Sequence, residues 1–391
     1  MAKKAYIGID GIARKINRGY VGVDGVARRI VKAYVGVGGV ARPCWSTGLE
    51  YYGTITQLGV ARRGIGGAGV GNYAMFAGGS LVSVSYYTNV EAYKSMVKYD
   101  APALSRGRYD TLGITNYEDR NYAMFAGGND ARGSNSGSLA AGNTVDVYDS
   151  SLTQKTDVEP LYQGRYGMSG GCVKGVFIAG GGMGPGTHTF YERADVYDKS
   201  LTKLDIRAEM EMRSFRGAGV SNDYYVVITG GESTSGSPHN RISAIDSSGT
   251  LRASEPAKLK TAKYFHGGAR AGKNIIFAGG RGKDNVYSDV DAYDSSLTKI
   301  DGVASLSVAR YHMASETLDK YAMFIGGQDN NSIYATIDVY DDSLTRIEEP
   351  VLALGVPRFN SAAAVAGSTL YVAGGQPASN SVSAEVDVYT N

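Results

Sequence analysis

Arginine and carboxylate recur together along this chain, and that pairing is the first place to look for chemistry. Arg108 is followed by Asp146, Arg165 by Asp195, Arg310 by Asp338 and Arg358 by Asp387. Aligning the seven copies of the surrounding phrase gives a basic column of Arg62, Arg108, Arg165, Ser214, Lys263, Arg310 and Arg358. The matching acidic column is Glu91, Asp146, Asp195, Ser243, Asp291, Asp338 and Asp387. Such columns suit either a cationic ring that captures an anion or a set of internal ion pairs. The fourth copy separates the two, because Ser214 and Ser243 replace both partners at once. Stripping a buried charge of its partner costs about 3–5 kcal/mol, so a structural pair should vanish as a pair. The columns therefore read as scaffold.

Other reactive groups are sparse. His188, His239, His266 and His312 fall in different repeats, with no short metal-ligand spacing. Cys44 and Cys172 lie far apart in different modules, which suits small buried side chains rather than a disulfide. The Gly-x-Gly strings precede no helix, so no phosphate loop is supported. Acids outside the repeat columns are scattered, which leaves a carboxylate pair for glycoside hydrolysis open. No catalytic residue, metal or cofactor is expected, and an enzyme is the least favoured class.

These residues sit on a long repeat. Seven apolar runs end in glycine pairs at intervals of 47 to 53 residues: Gly78-Gly79, Gly127-Gly128, Gly180-Gly181, Gly230-Gly231, Gly279-Gly280, Gly326-Gly327 and Gly374-Gly375. Each is followed by a phrase like Val145–Asp149, Val-Asp-Val-Tyr-Asp. A period of this length marks units that bury their faces only by stacking, as in a propeller. In the third unit the strands are expected at Leu161–Gly171, Val176–Ala179, Ala194–Tyr197 and Leu201–Asp205, the glycine pairs marking convergence on the axis. Seven first, second and third strands but six fourth strands can be counted. Thr54–Leu58 matches the missing one, so an N-terminal strand should close the last blade and remove both free edges. The expected fold is all-β: a seven-bladed propeller of four-stranded blades over residues 50–391, preceded by a small module at 1–49.

The propeller repeat resembles the kelch family, in which an apolar strand ending in a glycine pair precedes a tyrosine-containing strand. The resemblance covers all seven units. It departs in lacking the tryptophan late in each blade, since the single Trp is Trp45. In kelch propellers the loops between second and third strands commonly bind partners, and these loops expand here in blade two (Asn129–Thr144) and blade three (Gly182–Arg193). Tyr86, Tyr87, Arg132, Asn135, His188, Phe190, Tyr191, Tyr287 and Tyr334 are the candidate ligand-binding residues, because loops on a rigid scaffold carry recognition and tyrosines stack on sugars or anchor protein contacts.

Charge divides the chain in two. Residues 1–45 hold nine basic and two acidic residues, +7; the remaining 31 basic and 36 acidic residues give −5, which sums to the net +2. The basic residues flank turns rather than forming a run, so nucleic acid is not the expected partner. No run approaches the ~18 apolar residues of a membrane span, and the basic start Met1–Lys4 opens no apolar core of a signal peptide.

The basic segment repeats with a period of 14. Tyr6, Tyr20 and Tyr34 are in register, as are Arg14, Arg28 and Arg42, with two-residue turns at Asp10-Gly11, Asp24-Gly25 and Gly38-Gly39. Three such hairpins build little core, so these residues are candidates for attachment or oligomerisation. The segment resembles tyrosine–glycine–valine repeats that open structural proteins of phages and phage-derived particles of Gram-positive bacteria. That resemblance implies a module that attaches to other particle proteins, on a chain made in the host cytoplasm and released by lysis. The propeller would then bind a cell-surface glycan or protein from a tail or baseplate. A capsid-surface decoration and a cytosolic kelch interaction module are the alternatives.

Overall fold

The computed structural model describes residues 48–82, 85–130, 141–185, 189–206, 208–234, 236–252 and 258–391, and the backbone of six strands between residues 6 and 46. Among the described residues every regular element is a β-strand. Residues 50–391 form seven blade sheets in chain order, each running from an inner first strand outward, beside a small two-stranded sheet of Glu232–Thr234 with Ser237–Pro238. Blade one is Gly66–Val70, Tyr73–Ala77, Val90–Lys94 and Val97–Asp100. Among the described residues blade four alone shows three strands, with the bridge Ile245↔Leu251 beside the third; residues 253–257 lie outside them. The chain is a seven-bladed β-propeller.

Seven apolar clusters form the core, each shared between neighbouring blades; one joins Met75 and Ala77 of blade one to Phe125 and Tyr148 of blade two. This is why no blade stands alone: the apolar face of one is covered only by the next. On the third strands Tyr148, Tyr197, Tyr293, Tyr340 and Tyr389 are buried, and each hydroxyl donates to a carbonyl of the chain entering its blade, as from Tyr389 to Ala353 O at 2.8 Å.

Three expectations need correcting. The ring is closed by an N-terminal strand, but it is Glu50–Thr54, not Thr54–Leu58, pairing Thr54 with Asp387 and Glu50 with Thr390 across a bulge. The bulge admits an extra residue that pattern matching could not see. In blade three the left-handed glycine pair is Gly181-Gly182, while Gly180 ends the extended second strand. The outer strand of that blade is Ala208–Glu209, with only a bridge at Lys203 in the expected segment.

The first six strands form three separate two-stranded antiparallel sheets, Tyr6–Ile9 with Ile12–Lys15, Gly19–Val23 with Val26–Ile30, and Lys32–Val37 with Val40–Ser46. Register places Tyr6 opposite Lys15, Tyr20 opposite Arg29 and Tyr34 opposite Pro43; Arg14, Arg28 and Arg42 stand opposite Ile7, Val21 and Val35. The three turns lie outside the described residues.

Candidate functional site

The site is built from the segment that enters each blade. Its first element is the basic column. Arg108 pairs with Asp146 at 2.6 Å, Arg310 with Asp338 at 2.7 Å, Arg358 with Asp387 at 2.6 Å and Lys263 with Asp291 at 3.1 Å; Arg62–Glu91 and Arg165–Asp195 are in contact too. All six basic side chains are fully buried. The acid also accepts the backbone N–H three residues before its cation, as Ser105 N to Asp146 at 3.1 Å and Lys260 N to Asp291 at 2.8 Å.

The pair lies within one blade, but its cation is rooted in another. Arg310 N–H donates to Tyr287 O, and its carbonyl accepts from the N–H of Gly280, both in blade five; its guanidinium reaches Asp338 in blade six. The same two backbone bonds form in all seven blades, Ser214 included. Each cation therefore staples two blades. The second glycine of each pair donates this bond with φ between +94° and +111°. The pairs thus mark blade-to-blade contact, not the axis as expected. At the axis the close approach is made by first-strand glycines: a Cβ on Gly113 would run into the carbonyl of Gly67.

Two residues beyond the staple the backbone turns left-handed in every blade. Gly64, Asp110, Gly167, Arg216, Phe265, His312 and Asn360 have φ between +51° and +62°. Left-handed backbone costs about 1–2 kcal/mol for a residue with a Cβ, and bulky residues rarely adopt it. Hydrogen bonds between neighbouring turns stabilise it at six of the seven steps around the ring. Asp110 N donates to Gly64 O, Arg216 N to Gly167 O, Phe265 N to Arg216 O, His312 N to Phe265 O, Asn360 N to His312 O and Gly64 N to Asn360 O, at 2.8–3.4 Å. The ring frames one mouth of the central channel.

Behind the mouth lies a cavity of about 540 Å³ with two unlike walls. One is stacked: Arg216 sits 4.6 Å from the Phe265 ring, Phe265 lies 3.5 Å from His312, and His312 stacks 6.0 Å from Phe359 at 23°. The other is polar, with Arg63, Asp110, Thr111, Asn360, Ser361 and Gln376. Thr111 Oγ1, Ser361 Oγ and His266 Nδ1 make no hydrogen bond, although Thr111 and His266 are more than nine-tenths buried. Burial pushes the His312 imidazole down to about 3, helped by Arg216, Arg281 and Arg63, so it is neutral at pH 7. Burial pushes the Asp110 carboxyl up, opposed by Arg216 and Arg63.

The opposite end is crossed by a side-chain bond. A chamber of about 140 Å³ continues along the axis and shares Gly67, Gly113, Ser315 and Ala363 with the cavity. Across it the Tyr117 hydroxyl of blade two donates to Glu316 Oε1 of blade six at 2.5 Å, and Thr317 N donates to the same oxygen at 2.7 Å. Burial raises the Glu316 carboxyl. The channel is a funnel with a floor.

None of the expected loop residues among the described ones lines this cavity. Tyr87, Tyr191, Tyr287 and Tyr334 occupy equivalent places, their N–H groups donating to the second glycine's carbonyl at 2.8–3.0 Å, with half-buried rings. Tyr86 stacks on Tyr109 at 5.4 Å and 14°. Phe190 is a correction: it is 5 % exposed and packs on Phe215, Tyr166 and Met183, because the expanded loop of blade three folds back on the connector. Arg132, Asn135 and His188 lie outside the described residues, as do the side chains of Tyr6, Tyr20, Tyr34, Arg14, Arg28 and Arg42. The mouth residues Asp110, Arg216, Phe265, His312 and Asn360 escaped the sequence reading. Their signal was a column holding Gly, Asp and Asn, the residues that tolerate left-handed backbone.

No family model matches the chain, and no curated protein matches it. Among solved structures, one described as "Structure of YjhT" superposes with a TM-score of 0.58 at 14 % identity, covering 76 % of this chain and 99 % of that one. At that identity the likeness shows the propeller fold alone.

Proposed function

We propose that this chain is a non-enzymatic binding component of a phage or phage-tail-like particle. Residues 1–49 join it to other particle proteins, and a kelch-type propeller presents its funnel to a carbohydrate on the host surface. One observation carries this reading: the chain enters the propeller on the face opposite the funnel mouth. Glu50 pairs with Thr390, and Asn391 N donates to Ser368 O in the turn between the first two strands of blade seven. The corresponding turn of blade two bears Tyr117, the floor of the funnel. A module held at that face leaves the mouth pointing outward. The funnel's paired walls suit a sugar, whose C–H faces stack on aromatic rings while its hydroxyls need many neutral hydrogen-bond partners.

Particles should be purified from a strain whose chain lacks residues 1–47 and probed for the propeller. The shortened chain keeps Glu50–Thr54 and hence the closed ring. The expected result is a folded, soluble propeller absent from the particles; particles that still carry it would remove the anchoring role. A tail or baseplate is the proposed site.

A further inference from the structure

We propose that the funnel is a chain-end site, taking the terminal residue of a glycan and excluding internal ones. The proposal rests on the carbohydrate reading above and adds to it which part of the glycan is read.

The argument is geometric. A polymer can be held along its length in an open groove or threaded through a pore open at both ends. This site is neither. Its rim is framed by seven left-handed turns, bonded to one another at six of the seven steps, and the Phe265–His312 wall and Thr111 lie within it, out of reach of a chain laid across the mouth. Its far end is crossed by the Tyr117–Glu316 bond, and between them the first strands approach so closely that Gly113 and Gly67 leave no room for a side chain. The cavity of about 540 Å³ has the scale of small-ligand pockets, ~300–1,000 Å³, not of a polymer channel. Only the free end of a chain meets both walls at once. Thr111, Ser361 and His266 line the cavity inside the rim; their unpartnered Oγ1, Oγ and Nδ1 atoms are buried in its wall and would turn inward to meet the hydroxyls that a terminal residue keeps free.

The test applies the full-length protein to an array of bacterial cell-wall and surface glycans immobilised at their reducing ends. The chain-end site predicts that the bound glycans share one terminal residue whatever precedes it. Exoglycosidase trimming of that residue should abolish binding, and the free monosaccharide should compete. Thr111→Val, isosteric and without the hydroxyl, should weaken binding roughly tenfold at an unchanged unfolding midpoint. Phe265→Ala should do the same through the opposite wall, and if it fails to fold Thr111→Val carries the test. Bound glycans that share an internal sequence and survive trimming would overturn the chain-end proposal while sparing the carbohydrate reading. Binding to a surface protein with no glycan bound would overturn both. Unchanged binding by folded Thr111→Val and Phe265→Ala would move the site out of the funnel.

Discussion

The staple column and the mouth column stand two residues apart in each blade, and they follow opposite rules. At the staple, six of seven residues are basic and fully buried, each held by a carboxylate. At the mouth the backbone is as regular, yet its residues are Gly64, Asp110, Gly167, Arg216, Phe265, His312 and Asn360. Shape at the staple depends on side chains, so they repeat. Shape at the mouth is set by backbone hydrogen bonds around the ring, which leaves side chains free to differ from blade to blade. Blade four shows what the staple requires. Ser214 Oγ donates to Gly230 O at 2.7 Å, as Arg310 Nε does to Gly326 O at 2.8 Å, and Ser243 Oγ accepts Glu211 N at 2.9 Å. These two hydrogen bonds survive, while the charges and the guanidinium's bonds to the carboxylate and to the second-strand carbonyl are gone.

The largest effect should come from breaking one staple. Asp195→Ala leaves the Arg165 guanidinium buried without its counter-charge and should cost about 3–5 kcal/mol in denaturant unfolding. Copying blade four, with Arg165→Ser and Asp195→Ser together, should cost clearly less than the two single changes summed. Additive losses would mean that the residues act independently. Next in size is the glycine that receives the staple. An alanine Cβ at Gly280 would lie 2.8 Å from His266 Cβ and 3.0 Å from Tyr264 O at φ +98°, so Gly280→Ala should cost about 2 kcal/mol or more. A smaller loss would show that the blade contact yields easily.

The same contrast explains what could be read from sequence. The staples were legible because burial and charge force a repeated residue type, and blade four exposed their logic by losing both partners. The mouth was not legible, because backbone geometry repeats there without a repeated residue. Arg216, Phe265 and His312 offer no local hint of left-handed backbone. Gly64, Asp110, Gly167 and Asn360 do, and they read as ordinary turn residues. The closing strand was found a few residues out of place, because Thr54–Leu58 was matched to Leu297–Ile300, whereas in the sheet Tyr51 takes the place of Lys299 and Leu49 that of Leu297. Phe190 looked like a loop aromatic because nothing in the sequence says that the loop folds inward.

Acid should separate the columns next. The folded-state value for His312 is about 3, below the ~6.5 of an unfolded chain. Its contribution is complete above pH 6.5 and lost as pH falls toward 3, where the unfolded chain binds a proton that the folded one refuses. His312→Asn, which tolerates left-handed backbone, should therefore lose less stability than the parent between pH 7 and pH 4 in thermal unfolding. Equal losses would mean that the histidine is solvated and the wall open.

The smallest effect tests the central claim about the mouth. If the ring of backbone bonds fixes the φ of +55° at Asn360, the side chain there contributes little to folding. Glycine removes the left-handed penalty, about 1–2 kcal/mol for most residues and less for asparagine, and adds about 0.5–1 kcal/mol of backbone entropy loss. The two nearly cancel, so Asn360→Gly should change stability by no more than about 0.5 kcal/mol in either direction. Glycan binding by the same variant should fall, since the residue lines the polar wall. A stability loss above about 1 kcal/mol with binding intact would make the mouth a second scaffold ring, and the variation among its side chains would then need a reason other than ligand.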